Sequence, residues 1–311
     1  MSVTVNRQTK QSKRTNPNVI IAVLLIVLGL GVLLYPVVAT QLNNFSQASA
    51  AKEYAKLEQS APQETLDKAW NEAHAYNQER TASGIMDAWT DRADENSAAY
   101  QRYLKYLSQL AETDAMGRII IPTIDSDLPI YHGTSESALA RGVGHLYGTD
   151  LPIGGVDRHA VLSAHTGLQN ATLWDNLNKV KEGDAFYISV AGHKLKYLVD
   201  QVKVVEPHVT DDLVRVDGQD YITLVTCTPY GINTHRLLVR GHQVPLDPTE
   251  ESVFESSNGL HWQWWMWALV AAAAVVLSLL IWWLRRISRS QEQDENNEES
   301  QRAGVELSAQ Q

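Results

Sequence analysis

The sequence has one cysteine, Cys227, among 311 residues, so no disulfide can form within the chain. It also has no surplus of positive charge, because 26 Lys and Arg residues stand against 36 Asp and Glu residues. Between residues 40 and 263 there are 18 basic and 30 acidic residues, a net charge of −12. A surface this acidic repels a phosphate backbone, and we therefore do not expect the protein to bind nucleic acid.

Two long stretches contain no charged residue. Residues 19–39 and 264–284 each run for 21 positions without Asp, Glu, Lys or Arg. A helix of that length reaches about 31 Å, enough to cross the hydrocarbon core of a bilayer. Six of the nine tryptophans fall between residues 262 and 283, where indole rings would lie near the membrane interfaces. Both stretches are predicted to be transmembrane helices.

The basic residues that flank these stretches predict their orientation. They precede the first stretch and follow the second, at Arg7, Lys10, Lys13, Arg14, Arg285, Arg286 and Arg289. Positive charge is retained in the cytoplasm, so we expect a two-pass protein of the cell membrane with both termini cytoplasmic and residues 40–263 outside. The cytoplasmic parts are a basic tail over 1–18 and a disordered tail over 285–311.

The first stretch has a second interpretation, which is a cleaved signal peptide. Ala48-Ser49-Ala50 offers a pattern of small residues for cleavage. The apolar stretch is long for a signal peptide, however, and this site lies far beyond it, which favours an uncleaved anchor.

The external part divides near residue 116. Residues 40–115 have apolar residues at helical spacing and predict a helical spacer, interrupted by a loop near 84–95. Residues 116–248 contain short strand patterns, and 249–263 form a linker. The predicted strands are 118–122, 128–132, 160–163, 186–190, 195–205, 221–226 and 236–244, with a hairpin turn at 191–193 and one short helix over 171–177. Such a pattern favours a small closed or nearly closed β-barrel.

Cys227 stands at the end of an apolar strand and before a turn. A lone cysteine is often a small buried residue, but a thiol at a strand end is reachable and can be activated by a nearby cation. His165 and His235 are candidate bases, and Arg236 and Arg240 are candidate donors to an oxyanion. The two arginines share one face of the last strand but cannot both reach the thiol.

The run from Thr223 to Gly241 resembles the sortase signature, with Thr-Leu-Val-Thr-Cys followed by Asn-Thr-His-Arg-Leu-Leu-Val-Arg-Gly. The similarity covers roughly residues 85–245 and is strongest to the class C, pilin-polymerising sortases of Gram-positive bacteria. It continues upstream through four further segments: Ile130-Tyr-His-Gly-Thr-Ser135, Gly142-Val-Gly-His145, Leu151-Pro-Ile-Gly-Gly155 and Ser163-Ala-His-Thr-Gly167.

The resemblance implies a mainly β protein with an eight-stranded sortase-type barrel, an N-terminal helical and lid segment, and two flanking transmembrane helices. Cys227 matches the nucleophile, His165 the general acid and base, and Arg236 the oxyanion or substrate-positioning arginine, so His235 and Arg240 are left with structural roles. Sortases cleave Leu-Pro-x-Thr-Gly sorting signals between Thr and Gly through a thioacyl enzyme. In class C a pilin lysine amine resolves it, and no cofactor or metal is required.

Class C sortases also carry a lid with an Asp-Pro-Phe/Trp motif. The matching stretch here is Asp87-Ala88-Trp89, in which the acid and the aromatic ring are kept and the proline is replaced. Because proline fixes φ, its loss predicts a less rigid lid.

Two alternatives remain open from the sequence. An L,D-transpeptidase is also an extracytoplasmic cysteine acyltransferase, but it uses a Ser-x-Gly-Cys type of motif that Thr226-Cys227-Thr228 lacks. A non-enzymatic membrane scaffold would need no thiol, and blocking Cys227 would leave its function intact.

Overall fold

The computed structural model describes residues 17–80, 96–255 and 262–308, and the chain divides into two compact units. One unit is Val38–His261, and the other combines Met1–Val37 with Trp262–Gln311. Helix α1 (Pro17–Ser60) contributes residues to both units, and helix α5 (Trp264–Ser308) belongs to the second.

The two predicted spans lie within long apolar helices. Pro17–Ser60 and Trp264–Ser290 are each long and apolar enough to cross a membrane. In α1 the side chains of Leu24, Leu25 and Leu28 are more than 60% exposed. The prediction of one long apolar helix before the β domain in the sequence and one after it is therefore confirmed.

The larger unit contains a closed barrel of eight strands, as predicted. The strands follow the order β1-β2-β3-β4-β7-β8-β6-β5, and β5 pairs with β1 to close the barrel. The β2–β3 and β4–β7 pairs are parallel and the others are antiparallel. The strands are β1 (Gly117–Ile121), β2 (Ser126–His132), β3 (Val143–His145), β4 (Arg158–Ser163), β5 (Ala185–Val190), β6 (His193–Val205), β7 (Asp220–Thr228) and β8 (His235–Val244).

Two local predictions differ in outcome, and one strand was not predicted. The hairpin is confirmed, because Ala191 and Gly192 both have positive φ (46° and 80°) and join β5 to β6 as a two-residue turn. Strand β3 was missed, since three residues are too few to show alternation. The helix over 171–177 is wrong. Leu173 has φ 39°, which a right-handed helix does not allow, and the segment forms turns before a short 3-10 helix at Leu177–Lys179.

The barrel interior is filled by one face of each strand. Ile222 and Leu224 of β7 and Leu237 and Val239 of β8 point inward and are at most 4% exposed. Burying such side chains stabilises the fold by about 1.5–3 kcal/mol each. Because side chains alternate along a strand, the odd-numbered positions of β7 lie on the outer face.

The helices interpreted as a spacer share this core. They are α2 (Gln63–Glu79) and α3 (Ala98–Leu107), and a further short helix, α4 (Glu136–Arg141), precedes β3. Ala69 and Ala73 of α2 belong to the core cluster of the barrel. The buried side chain of Asn77 exchanges hydrogen bonds with the main-chain N–H and C=O of Leu151, at 2.9 and 3.1 Å. Helix α2 is therefore part of the barrel unit.

A buried histidine joins α3 to the barrel. His145 is fully buried, its Nε2 lies 2.7 Å from the carbonyl oxygen of Asp150, and its Nδ1 lies 2.9 Å from Tyr106 Oη. Since a carbonyl only accepts, Nε2 carries the proton and Nδ1 accepts from the tyrosine hydroxyl. Burial lowers the pKa of His145 to about 4, so the ring is neutral in the folded protein.

The contribution of His145 to stability should therefore decrease as the pH falls from about 6.5 towards 4. In that range the unfolded chain binds a proton that the folded chain does not, and the full difference is about 3 kcal/mol. His145→Gln keeps a donor and an acceptor without titrating. Melting temperatures of the full chain in detergent, measured from pH 7.5 to 4.5, should fall more steeply for the wild type than for this variant.

The wild type has to be compared with His145→Gln, because other groups stabilise the folded protein as the pH falls. Burial raises the pKa of both Asp175 and Asp220 to about 6, so their protonation favours the folded state as the pH falls from about 6 towards 4. Parallel curves for the wild type and His145→Gln would contradict the prediction.

Candidate active site

Cys227 is the penultimate residue of β7 and is half-buried. In the antiparallel β7–β8 ladder it lies directly opposite Arg236. Opposing residues of such a pair project their side chains from the same face of the sheet, with Cβ atoms about 4.5–5.5 Å apart. The thiol and the guanidinium group therefore share the outer face of the barrel.

The parallel pairing of β4 and β7 places His165 on this face too. Ser163 is in register with Val225, and the N–H of Ala164 donates to the carbonyl oxygen of Val225 at 3.2 Å. Continuing this register by two residues brings His165 level with Cys227. Since Ala164 faces the core, alternation directs His165 outward, as it does Cys227.

Two threonine hydroxyl groups lie on the inner face of the strands, beneath Cys227 and His165. Thr226 Oγ1 donates to the carbonyl oxygen of Ala164 at 2.7 Å and lies 2.9 Å from Thr166 Oγ1. Both threonines are buried. These contacts hold the end of β7 against the start of the loop that carries His165, and the sequence motifs assigned them no such role.

In the part of the chain that the structure describes, all hydrogen bonds of the Arg236 side chain go to the main chain. Its Nη1 donates to the carbonyl oxygens of Asn233 (3.3 Å) and His235 (3.1 Å). Among the described residues no carboxylate pairs with it. A guanidinium group has five N–H donors, so Arg236 retains donors for an oxyanion or a substrate carbonyl.

Arg240 lies on the same strand face but is engaged elsewhere. It is opposite Thr223, donates to both carboxylate oxygens of Asp200 at 2.9 and 3.2 Å, and lies 4.2 Å from the ring centre of Tyr221. It is therefore separated from the thiol, as the alternation predicted.

His235 is opposite Thr228, on the other face of the ladder from Cys227. Its Nδ1 lies 2.9 Å from Thr234 Oγ1. The register thus places Cys227, His165 and Arg236 on one face at the same level of the barrel, with His235 on the other face and Arg240 further along β8.

Asp175 is a residue of this region that sequence reasoning missed. Its Oδ1 accepts the N–H of Gly167 at 2.8 Å, and burial raises the pKa of its carboxyl group to about 6. Gly167 has φ 81°, and a Cβ there would lie 3.2 Å from the N atom of Gly231, so the loops that follow β4 and β7 are in contact. The sequence contains no signal for this contact, because no spacing rule predicts that an aspartate ten residues after a histidine will bind the loop that carries the histidine.

The predicted lid residues Asp87 and Trp89 lie outside the described residues. The neighbouring described segments are the end of α2 at Glu79 and the start of α3 at Ala98.

A thiol, an imidazole and a guanidinium group on one face are the three groups that acyl transfer to a cysteine needs. They are a nucleophile, a carrier of the proton and a donor to the charge that develops on the carbonyl oxygen.

Comparisons with known proteins agree with this chemistry. Residues 119–244 match the sortase domain family. Sortase C-1 from Actinomyces oris is 48% identical, with 59% of this chain and 99% of that chain covered and a TM-score of 0.54. Sortase C1 from Streptococcus agalactiae is 44% identical (64% and 100% covered, TM-score 0.58). Sortase C of Streptococcus pneumoniae is 39% identical (64% and 97% covered, TM-score 0.56).

The protein belongs to the sortase family. The prediction of a sortase most similar to class C is confirmed, because three similar structures at 39–48% identity are sortases C. Curated sortases A and D are 26–28% identical to this chain, which spans 47–64% of their length.

The two arginines of β8 should respond differently to removal. We expect Arg236→Ala to lower kcat/KM on a Leu-Pro-x-Thr-Gly peptide by about 10²–10³, the value of one oxyanion donor. Arg240→Ala should keep a near wild-type kcat/KM and melt at a lower temperature, since Asp200 loses its partner. An inactive but folded Arg240→Ala variant would show that the wrong arginine has been assigned.

Proposed function

We propose that this protein is a membrane-anchored sortase that cleaves Leu-Pro-x-Thr-Gly-type signals between Thr and Gly and joins pilin subunits through a lysine amine. The observation that carries the proposal is the cross-strand pair of Cys227 and Arg236 with His165 level with it on the neighbouring strand. The similar Streptococcus pneumoniae sortase C is described in terms of pilin substrate specificity, which supports a pilin substrate.

In the first half-reaction the Cys227 thiolate attacks the carbonyl carbon of the threonine. Negative charge develops on the carbonyl oxygen, where the guanidinium group of Arg236 would bind it. The C–N bond to glycine then breaks as His165 gives a proton to the leaving amine. The product is a thioester between Cys227 and the threonine.

In the second half-reaction the roles reverse. A lysine ε-amine attacks the thioester carbon, His165 takes the proton from that amine, and the Cys227 thiolate leaves. An isopeptide bond joins the two proteins, and the enzyme regains its starting state. No cofactor enters either step.

The two-pass arrangement is part of this proposal. The exposed leucines of α1 need an apolar surrounding, and the basic residues beside each apolar stretch favour cytoplasmic termini. Residues 40–263 then face the cell exterior. The contacts that Thr40 and Asn44 make with the barrel unit lie before Ala48-Ser49-Ala50, and cleavage there would remove them, which supports an uncleaved anchor.

Trapping of the acyl intermediate tests the nucleophile and the base. Cys227→Ala should form no covalent adduct with a sorting-signal peptide while keeping the wild-type melting temperature, because only a small volume is lost at the strand end. His165→Ala should lose most turnover, and His235→Ala, the matched change on the other face, should keep it. Transpeptidation by Cys227→Ala would contradict the proposal that Cys227 is the nucleophile.

We also propose that Asp87 and Trp89 form a lid, on the basis of the class C motif alone. An apolar ring over the thiol would exclude reagents, and a carboxylate near Arg236 would occupy the donors that a substrate needs. Trp89→Ala, and more so Asp87→Ala with Trp89→Ala, should therefore raise the rate at which a small reagent alkylates Cys227. Rates equal to the wild type in both variants would assign residues 84–95 to the spacer.

A further inference from the structure

The most buried polar contact between α1 and the loop after His165 joins Asn44 to Thr172. Asn44 Nδ2 donates to Thr172 Oγ1 at 2.9 Å, and Asn44 Oδ1 accepts the Thr172 N–H at 3.1 Å. The two residues are 5% and 7% exposed and are 128 positions apart in the chain. Because one amide satisfies both a side-chain and a main-chain group of Thr172, it restrains that residue in two directions.

The preceding turn of α1 extends this contact along the loop. Two further side chains of the helix donate to loop carbonyl groups, Thr40 Oγ1 to Gln169 at 3.3 Å and Asn43 Nδ2 to Asn170 at 2.6 Å. One face of α1 therefore holds three of the four loop positions from 169 to 172, namely Gln169, Asn170 and Thr172.

The held segment is connected to His165 through a strained residue. Leu173 adopts φ 39°, a left-handed conformation that is unfavourable for a leucine. The next residue, Trp174, is fully buried, and its N–H donates to the carbonyl oxygen of His165 at 3.2 Å. Its own carbonyl oxygen accepts from Thr166 Oγ1 at 2.9 Å.

A strained backbone persists only where its surroundings over-determine it. Leu173 lies between two restrained residues. Thr172 is held by Asn44, and Trp174 is held by the core. If the first restraint is removed, Leu173 can relax, and the hydrogen bond from Trp174 that sets the main chain at His165 changes with it.

We propose that Asn44 is a positioning residue for His165, and that the part of α1 beyond the apolar stretch takes part in catalysis by ordering the loop that carries the base. The inference rests on the role proposed above for His165. Asn44 itself touches no reacting atom. Its effect is on the alignment of the imidazole with the thiol, where a displacement of about 1 Å lowers rates by about a hundredfold.

The test measures kcat and KM of the full chain in detergent micelles with a Leu-Pro-x-Thr-Gly peptide and an amine acceptor. Asn44→Ala should lower kcat about ten- to a hundredfold and change KM by less than about twofold, because alignment and not substrate binding is lost. Asn44→Asp should retain most of the wild-type kcat. One carboxylate oxygen can accept the Thr172 N–H, and the other can accept from its hydroxyl, which turns to donate.

Gln47→Ala is the matched control, since Gln47 is a buried amide of the same helix whose Nε2 donates to Ala140 at 3.4 Å and not to the loop. It should lower the melting temperature and leave kcat unchanged. Thr172→Val removes the hydroxyl but keeps the N–H bond to Asn44, and should lower kcat less than Asn44→Ala. If Asn44→Ala does not fold, this variant decides, and a wild-type kcat for it would overturn the proposal.

Three other results would also overturn it: a folded Asn44→Ala with the wild-type kcat, a Gln47→Ala variant that is equally slow, or an Asn44→Asp variant as slow as Asn44→Ala. His165→Ala in the same assay distinguishes a failure of the proposed role of His165 from a failure of the proposed role of Asn44. If His165→Ala turned over normally, the role of His165 itself would be wrong, whereas an inactive His165→Ala beside a fully active Asn44→Ala would overturn only the role of Asn44.

Discussion

The position of strand β7 between β4 and β8 determines where each reacting group lies. Pairing with β8 sets Cys227 opposite Arg236, and pairing with β4 brings His165 level with both. Because side chains alternate strictly along a strand, a slip of one residue in β7 would turn Cys227 into the barrel and expose Thr226. The apolar residues Ile222 and Leu224, buried on the inner face, oppose such a slip. Core packing thus fixes the register on which the site depends.

Partners, more than residue type, separate the two arginines of β8. Both project from the same face, and both are partly buried. Arg240 gives its donors to Asp200 and stacks over Tyr221, whereas Arg236 contacts only main-chain oxygens among the described residues. A guanidinium group whose donors are given to a carboxylate cannot also bind developing charge, so Arg236 fits the requirement of an oxyanion donor better than Arg240 does.

Buried polar groups hold the helices on the barrel. The carboxylate of Asp150 is fully buried, accepts from Arg80 and Arg215, and also accepts the N–H of His159. Such a group stabilises a fold only when its partners are all present, because an unpaired buried charge is strongly destabilising. Asn44 and Thr172 form the neutral counterpart at α1. The helices outside the barrel therefore cover apolar surface and also form hydrogen bonds to the loops of the barrel.

Local chemistry in the sequence determined a large part of this protein. The charge-free stretches, the strand alternation and the hairpin at Ala191-Gly192 each follow from the properties of a few adjacent residues. The pairing of β7 with β8 also follows, since consecutive strands joined by a short connection usually pair with each other. The motif around the lone thiol identified the chemistry because Cys227 and Arg236 lie within one such hairpin.

The tertiary structure alone decided the remainder, because the deciding contacts join residues far apart in the chain. His165 and Cys227 are brought to the same level by a parallel pairing, and parallel strands leave no turn signal between them in the sequence. The three residues of β3 gain their strand conformation from β2 and β4 and not from their own pattern. Leu173 does not adopt the helical conformation that the local pattern predicts, because the core holds Trp174 and Asn44, 128 positions before Thr172, holds that residue. The sequence contains every one of these residues, but only the folded chain shows which of them restrain one another.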